Sequence, residues 1–192
     1  MITTLTTIKG RLGLPESDVK DDDLLNAIIE AVGARFDKET RRTLARNAAA
    51  TEEFAGDEME LRLGNYPVES VTSFHLKSDE TTGWELQSDV VYLLRKGCVV
   101  SLGGPLGAAS QQLKVTYAGG YVMPDATVSA GQTALPKDLE LAGIEQVLFV
   151  YRHRDRLGIA SESGGGGSIA KPEQDLIPSV AAVLKRYERW VN

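Results

Sequence analysis

The chain has 192 residues and a mass of 20.8 kDa, enough for one well-cored domain. An apolar share of 42% and a charged share of 25% exclude wholesale disorder, and the single cysteine with two histidines excludes both an internal disulfide and a Cys/His zinc site. The net charge of −6 argues against a general nucleic-acid binder, which needs clustered cations to displace phosphate counterions.

Leu5, Ile8 and Leu12 stand at helical spacing before Gly13 and Pro15, which predicts a short first helix within Thr3 to Leu14. Asp21, Asp22 and Asp23 then precede Leu24, Leu25, Ile28, Ile29, Val32 and Phe36, an apolar stripe running on towards Arg42. The acidic start reads as a helix cap, and Arg41, Arg42 and Arg46 fall near the negative end of the dipole. From Met59 the period changes to two. Strands are predicted at 59–63, 68–76, 84–87, 90–95, 98–102 and 113–117, and short strands joined by turns make an antiparallel sheet. Lys96-Gly97 reads as a tight turn. The small-residue stretch 103–112, with Gly103, Gly104, Pro105, Leu106 and Gly107 at its head, reads as a projecting loop and candidate contact arm.

Gly119 and Gly120 close the strand region, and 122–134 reads as irregular. Pro136 opens a second long helix, with Leu139, Ala142, Ile144, Val147, Leu148 and Tyr151 on a broad apolar face reaching about Arg156. SESGGGGS at 161–168, including Gly164, Gly165, Gly166 and Gly167, reads as a flexible loop. A terminal amphipathic helix follows from Pro178 to Val191, with Val180, Val183, Leu184, Tyr187, Trp190 and Val191 on one side beside Lys185, Arg186 and Arg189. The fold class is therefore α+β, helical over 1–50 and 135–192 and β-rich over 57–121. Neither a membrane span nor a signal peptide is predicted.

The residue patterns of common chemistries are missing. His75 and His153 have no base or nucleophile beside them in sequence, and Cys98 before Val99-Val100 reads as a small core residue. Gly103 to Gly107 lacks the Lys-Ser/Thr pair that ends a phosphate loop, and Gly164 to Gly167 is not a dinucleotide fingerprint. The Asp21 to Asp23 cluster lacks the ligand spacing of a calcium loop. Arg152, Arg154 and Arg156 are candidates for inter-subunit ion pairs or phosphate contact, although Asp155 interrupts them. No cofactor and no metal are expected.

The order of segments is the most informative feature. An acidic-capped helix ends in Thr40-Arg41-Arg42, and Tyr66-Pro67-Val68-Glu69-Ser70-Val71 enters the sheet. Val115-Thr116-Tyr117-Ala118-Gly119-Gly120-Tyr121 leaves it, Leu135-Pro136-Lys137-Asp138-Leu139 opens a long helix, and Ile177-Pro178 opens the last one. In this the chain resembles the head-tail connector, or head-completion adaptor, family of long-tailed bacteriophages. The resemblance implies a single connector domain over 1–192, a small helical bundle core with an inserted antiparallel β-sheet and a C-terminal amphipathic helix. It implies a structural virion protein without enzyme activity, many copies of which form a dodecameric ring beneath the portal. Its partners would be the portal, a stopper or tail-completion protein below, and genomic DNA passing unheld through the channel. It would reside at the head-tail interface of the virion, after assembly in the host cytoplasm. The family's portal-docking segment maps by position onto Lys185, Arg186, Tyr187, Arg189, Trp190 and Val191. Trp and Tyr beside cations suit an interface anchor, while packing of Trp190 on Leu148 or Tyr151 of its own chain is the alternative. The long loops are natural ring contacts, since each subunit of a ring meets its neighbour through a different face. The rival readings are a tail-completion or stopper protein, a nucleotide-binding domain using the Gly103 to Gly107 loop, and a DNA-binding module using Arg152 to Arg156.

Overall fold

The computed structural model describes residues 1–154, 161–164, 167–170 and 176–189. They divide into a helical unit, 1–40 with 135–188, and a strand-rich unit, 41–134, which also takes in Arg189.

The helical unit holds α1 (Leu5–Leu12), α2 (Asp22–Thr40), α3 (Lys137–Arg152) and α4 (Pro178–Tyr187). Thr4 caps α1 by accepting the Thr7 N–H, and Gly13 ends it in the left-handed conformation at φ 71°, where the missing side chain removes the steric cost. Of the predicted stripe of α2, Leu25, Ile28, Ile29, Val32 and Phe36 lie inside with Leu139, Ala142 and Val147 of α3, while Leu24 is 40% exposed. Gly143 lets Ile2 approach α3, since a Cβ there would stand 2.8 Å from the Ile2 side chain.

The expected carboxylate cap at the entry to α2 is replaced by side-chain bonds to other segments of the helical unit. Asp21 gives its carbonyl to the Leu25 N–H (2.9 Å), and its carboxylate accepts the Tyr151 hydroxyl. That bond, with some burial, raises the Tyr151 pKa. Asp22 accepts from the Lys9 ammonium at 2.9 Å. Lys9 is 3% exposed, and its other two protons go to the carbonyls of Glu16 (2.9 Å) and Asp18 (2.6 Å), so a buried cation is satisfied three times over. The helix stops at Thr40, short of the expected Arg42, because Arg41 turns to φ 54°.

The run 161–168, expected as an irregular loop, is instead extended: β10 (Ser161–Gly164) pairs antiparallel with β11 (Gly167–Ala170), Gly164 opposite Gly167. A hairpin satisfies through its own ladder the backbone groups that a loop would leave to water. Gly165 and Gly166 lie outside the described residues.

The strand-rich unit begins earlier than the periodicity predicts, with β1 (Asn47–Ala55). It continues with β2 (Glu60–Arg62), β3 (Val68–Lys77), β4 (Trp84–Gln87), β5 (Tyr92–Arg95), β6 (Val99–Leu102), β7 (Gln112–Gly119), β8 (Tyr121–Val122) and β9 (Thr133–Ala134). One antiparallel sheet has the order β1-β7-β3-β4 and another β2-β6-β5, while β8 and β9 form a short parallel pair inside the stretch expected to be irregular. The two larger sheets share a core of Leu61, Leu63, Phe74, Val100, Leu113, Val115 and Tyr117.

The segments singled out in sequence converge in a clamp. Gly120 has φ 96°, and a Cβ there would lie 2.2 Å from Asn65 Oδ1; a Cβ on Gly119 would lie 2.2 Å from the Asn65 carbonyl. Glycine is required at both because the 65–67 backbone crosses there, and the Gly120 N–H bonds the Pro67 carbonyl at 3.0 Å. Arg42, 5% exposed, lays its guanidinium over the Tyr66 ring at 3.3 Å and near Tyr121 at 5.2 Å, and donates to the Tyr66 carbonyl. Arg46 grips Glu69 bidentately at 2.7 and 2.9 Å.

Candidate interaction surfaces

The terminal helix buries Val180 and Leu184 within the helical unit, so its apolar face is covered by its own chain. The Tyr187 hydroxyl donates to Asp138 at 2.7 Å, and the Gln146 side chain accepts the Ile177 N–H at 3.1 Å where α4 begins. Lys185 and Arg186 are exposed. Arg189 belongs to the strand-rich unit: its guanidinium donates to the Arg62 carbonyl and lies 3.6 Å from Glu52. Trp190 and Val191 fall outside the described residues.

Glu52 anchors this end of the strand-rich unit. It accepts the Gly64 N–H and the Tyr117 hydroxyl, while that hydroxyl accepts the Asn65 N–H at 3.0 Å. Burial pushes the Tyr117 pKa far above its ordinary value, and the bond to Glu52 raises it further. Sequence reading missed this cluster because Glu52 lies in a strand whose composition is not strand-like.

The 103–107 stretch does not project. Gly103 N–H bonds the Val91 carbonyl (3.1 Å), Gly107 N–H bonds the Gly56 carbonyl (2.8 Å), and a Cβ on Gly107 would strike Leu76 at 2.8 Å. Leu106 packs on the core, and the Gln111 side chain pins Ala108 (2.7 Å) and Ser78 (2.6 Å). Two of the amides a phosphate would use are thus spent internally, and the next element is β7 rather than a helix, so the phosphate-loop geometry is absent from this stretch. Gly103, Gly104, Pro105 and Leu106 instead form one wall of an open groove of about 390 Å³ whose other wall is 87–91. Beside it the outer strand β5 is exposed along its whole length.

The arginines after α3 do not form a common phosphate grip among the described residues. Arg154 folds back, donating to the Tyr151 carbonyl (2.9 Å) with its guanidinium 4.1 Å from the Tyr151 ring, as a cation at a helix C-terminus does. Arg152 is exposed, and Arg156 lies outside the described residues. His153 Nδ1 sits 2.8 Å from the Phe149 carbonyl, and His75 Nδ1 sits 3.4 Å from the Ser73 hydroxyl. No group of three or more metal-ligating side chains gathers among the described residues, and none of the described helices is long and apolar enough to cross a membrane.

Residues 1–190 match the family model described as head completion protein. No curated protein matches the chain. Its fold is similar to a chain in a structure described as the neck of an empty GTA particle computed with C6 symmetry, at TM-score 0.60 and 15% identity, covering 97% of this chain and 89% of that one. It is also similar to a chain in the neck of the native GTA particle computed with C12 symmetry, at TM-score 0.56 and 16% identity, covering 88% and 84%. A third likeness is to a chain in the virion of a native gene transfer agent particle, at TM-score 0.58 and 18% identity, covering 97% and 89%.

Proposed function

Because the chain belongs to the head completion protein family, we propose that it works as a structural neck protein of a phage-like particle, closing into a ring that joins the DNA-filled head to the component below. The extent of the family match, residues 1–190, carries this reading. A fold shared with chains from particle necks of six- and twelve-fold symmetry supports it. Twelve copies under a portal is the stoichiometry we adopt from the C12 neck.

The two units make one connector subunit, a helical part assembled from both ends of the chain with the strand-rich part inserted between. Ring closure needs two unlike faces on each subunit, and the groove wall at 103–106, the hairpin end at Gly164 and Gly167, and Arg152 are the contacts we assign to neighbours. A modest contact repeated around a ring holds strongly, because every site is engaged once one is. The exposed cations Lys185 and Arg186 contact the portal, and a stopper or tail-completion protein takes the other side of the ring. A net charge of −6 lets the genome pass without adhering. The protein works at the head-tail interface of the virion after assembly in the host cytoplasm.

Native mass spectrometry with the isolated portal ring tests this. The expected product is a portal carrying twelve added chains. A chain that leaves the portal bare at all concentrations refutes the adaptor role. Reversing both exposed cations, Lys185→Glu with Arg186→Glu, is expected to lower portal occupancy without moving the thermal midpoint; full occupancy would place the portal contact elsewhere.

A further inference from the structure

Two faces of this chain carry opposite charge, each with an exposed apolar side chain set in it. In the sheet β2-β6-β5 directly opposed residues share a face, and the register groups Leu61, Val100 and Leu94 on one side. Leu61 and Val100 are fully buried, so the other side, with Glu60, Arg62, Val99, Ser101, Leu93 and Arg95, is the outer face. There Arg62 and Arg95, both exposed, flank Val99, and Leu93 beside them is 64% exposed. Lys96 adds an exposed ammonium in the turn after β5, and Arg189 sets its guanidinium on the Arg62 carbonyl. Two carboxylates pair with these four cations, Glu60 at 3.3 Å from Arg95 and Glu52 at 3.6 Å from Arg189, which leaves an excess of positive charge.

The turn between α1 and α2 has the opposite character. Residues 15–23 read PESDVKDDD, five acids against Lys20. The Glu16 and Asp18 carbonyls are held inward on the buried Lys9 ammonium, while the Asp21 and Asp22 carboxylates are taken by Tyr151 and Lys9. Glu16, Asp18 and Asp23 stay exposed, and Val19 between them is 70% exposed. Because Lys9 already fixes this backbone, covering the turn costs little ordering entropy. The acidic tip of the β3–β4 hairpin is less available. Asp79 there accepts three bonds from Thr81 and Thr82, and Glu80 pairs with Lys77 at 2.6 Å. Asp18 accepts one among the described residues, from the Lys20 N–H at 3.2 Å.

We propose that the α1–α2 turn of one copy docks on the outer face of the β2-β6-β5 sheet of the next. Glu16, Asp18 and Asp23 meet Arg62, Arg95 and Lys96, and Val19 covers Leu93. The contact rests on the ring reading and supplies the two unlike faces that a head-to-tail ring requires. Opposite charge fixes which faces meet, and the apolar pair adds burial that charge alone lacks.

Native mass spectrometry of the full chain with the isolated portal, at half-saturating concentration, is the test. The wild type is expected to give bare portals and complete collars with few intermediates, since each bound copy recruits its neighbour. Arg62→Glu with Arg95→Glu sets acid against acid, and Glu16→Lys with Asp18→Lys sets base against base. Each variant alone should need about tenfold more chain and give partial collars, with its thermal midpoint in place because the changed side chains are exposed. Mixed in equal amounts, the two should alternate and restore complete collars, because every contact then joins opposite charges and a twelve-fold ring holds an even number. Wild-type portals that stay bare overturn the ring reading and this contact with it. Complete collars from either variant alone, or a mixture no better than its parts, overturn the contact and leave the ring. Duplex DNA bound by the wild type and lost on the arginine reversal, with no rescue in the mixture, gives the cationic face to the genome and also overturns the proposal.

Discussion

Replacing Gly120 with alanine tests the clamp that holds the strand-rich unit together. The new Cβ would lie 2.2 Å from Asn65 Oδ1, 2.7 Å from the Ala45 carbonyl and 2.9 Å from Arg46 Cα, two of them backbone atoms that cannot rotate away. A side chain at positive φ costs about 1–2 kcal/mol. Forcing a methyl into a filled site costs about 1–3 kcal/mol more, so the expected loss is about 2–5 kcal/mol, a large part of a stability of about 5–15 kcal/mol. Three other glycines separate the terms. Gly131 has φ 83° and open space, so alanine there meets strain alone, about 1–2 kcal/mol. Gly119 meets the Asn65 carbonyl at 2.2 Å, which isolates the clash at about 1–3 kcal/mol. Gly104 has nothing within 4 Å and no positive φ, so alanine there is expected to be neutral. Urea unfolding followed by tryptophan fluorescence, to which Trp84 of β4 contributes from within the strand-rich unit, gives each ΔΔG. If Gly120→Ala costs no more than Gly131→Ala, the 65–67 backbone is not held against this turn and the clamp is wrong.

Other expectations concern buried polar groups. Lys9→Met strips donors from two carbonyls and from Asp22, and a loss of about 2–4 kcal/mol in far-UV CD unfolding is expected; a neutral result would mean the 13–21 turn does not depend on the ammonium. Tyr117→Phe leaves Glu52 and the Asn65 N–H without their shared partner and should cost about 1–3 kcal/mol. Because the folded state holds the Tyr117 proton more tightly than the unfolded state, its contribution is complete below the ordinary phenol pKa of about 10 and declines as pH rises beyond it. Urea midpoints measured on both sides of that pH should converge for wild type and Tyr117→Phe in alkali, and a constant gap refutes the linkage.

The parts legible in the sequence are those governed by local period. The α2 stripe is buried except for Leu24 at its start, and β2 to β7 fall within a few positions of the predicted strands. Strand β1 was not legible, since its three consecutive alanines and paired glutamates favour helix; pairing with β7 and the bonds to Glu52 override that preference. Partners distant in the chain decided the 103–107 stretch, where Gly56, Leu76 and Gln111 fasten a segment whose composition alone suggests freedom. The apolar run at 90–95 marks a strand without its place in the sheet, and β5 lies at the margin. Its exposure is a property of topology, which a window of residues does not contain.

Chain order within the helical unit also governs synthesis. The apolar stripe of α2 leaves the ribosome long before α3, its packing partner, exists, because the whole strand-rich unit is translated between them. That unit binds its entry to its exit through Tyr121, which bridges Ala45 and pairs beside Thr133. Once it folds, the span separating the two helices shrinks from a long unfolded chain to a short tether, and the entropy of bringing them together falls with it. Weakening the Gly119-Gly120 turn therefore also prolongs the interval in which the nascent α2 face stands open to aggregation.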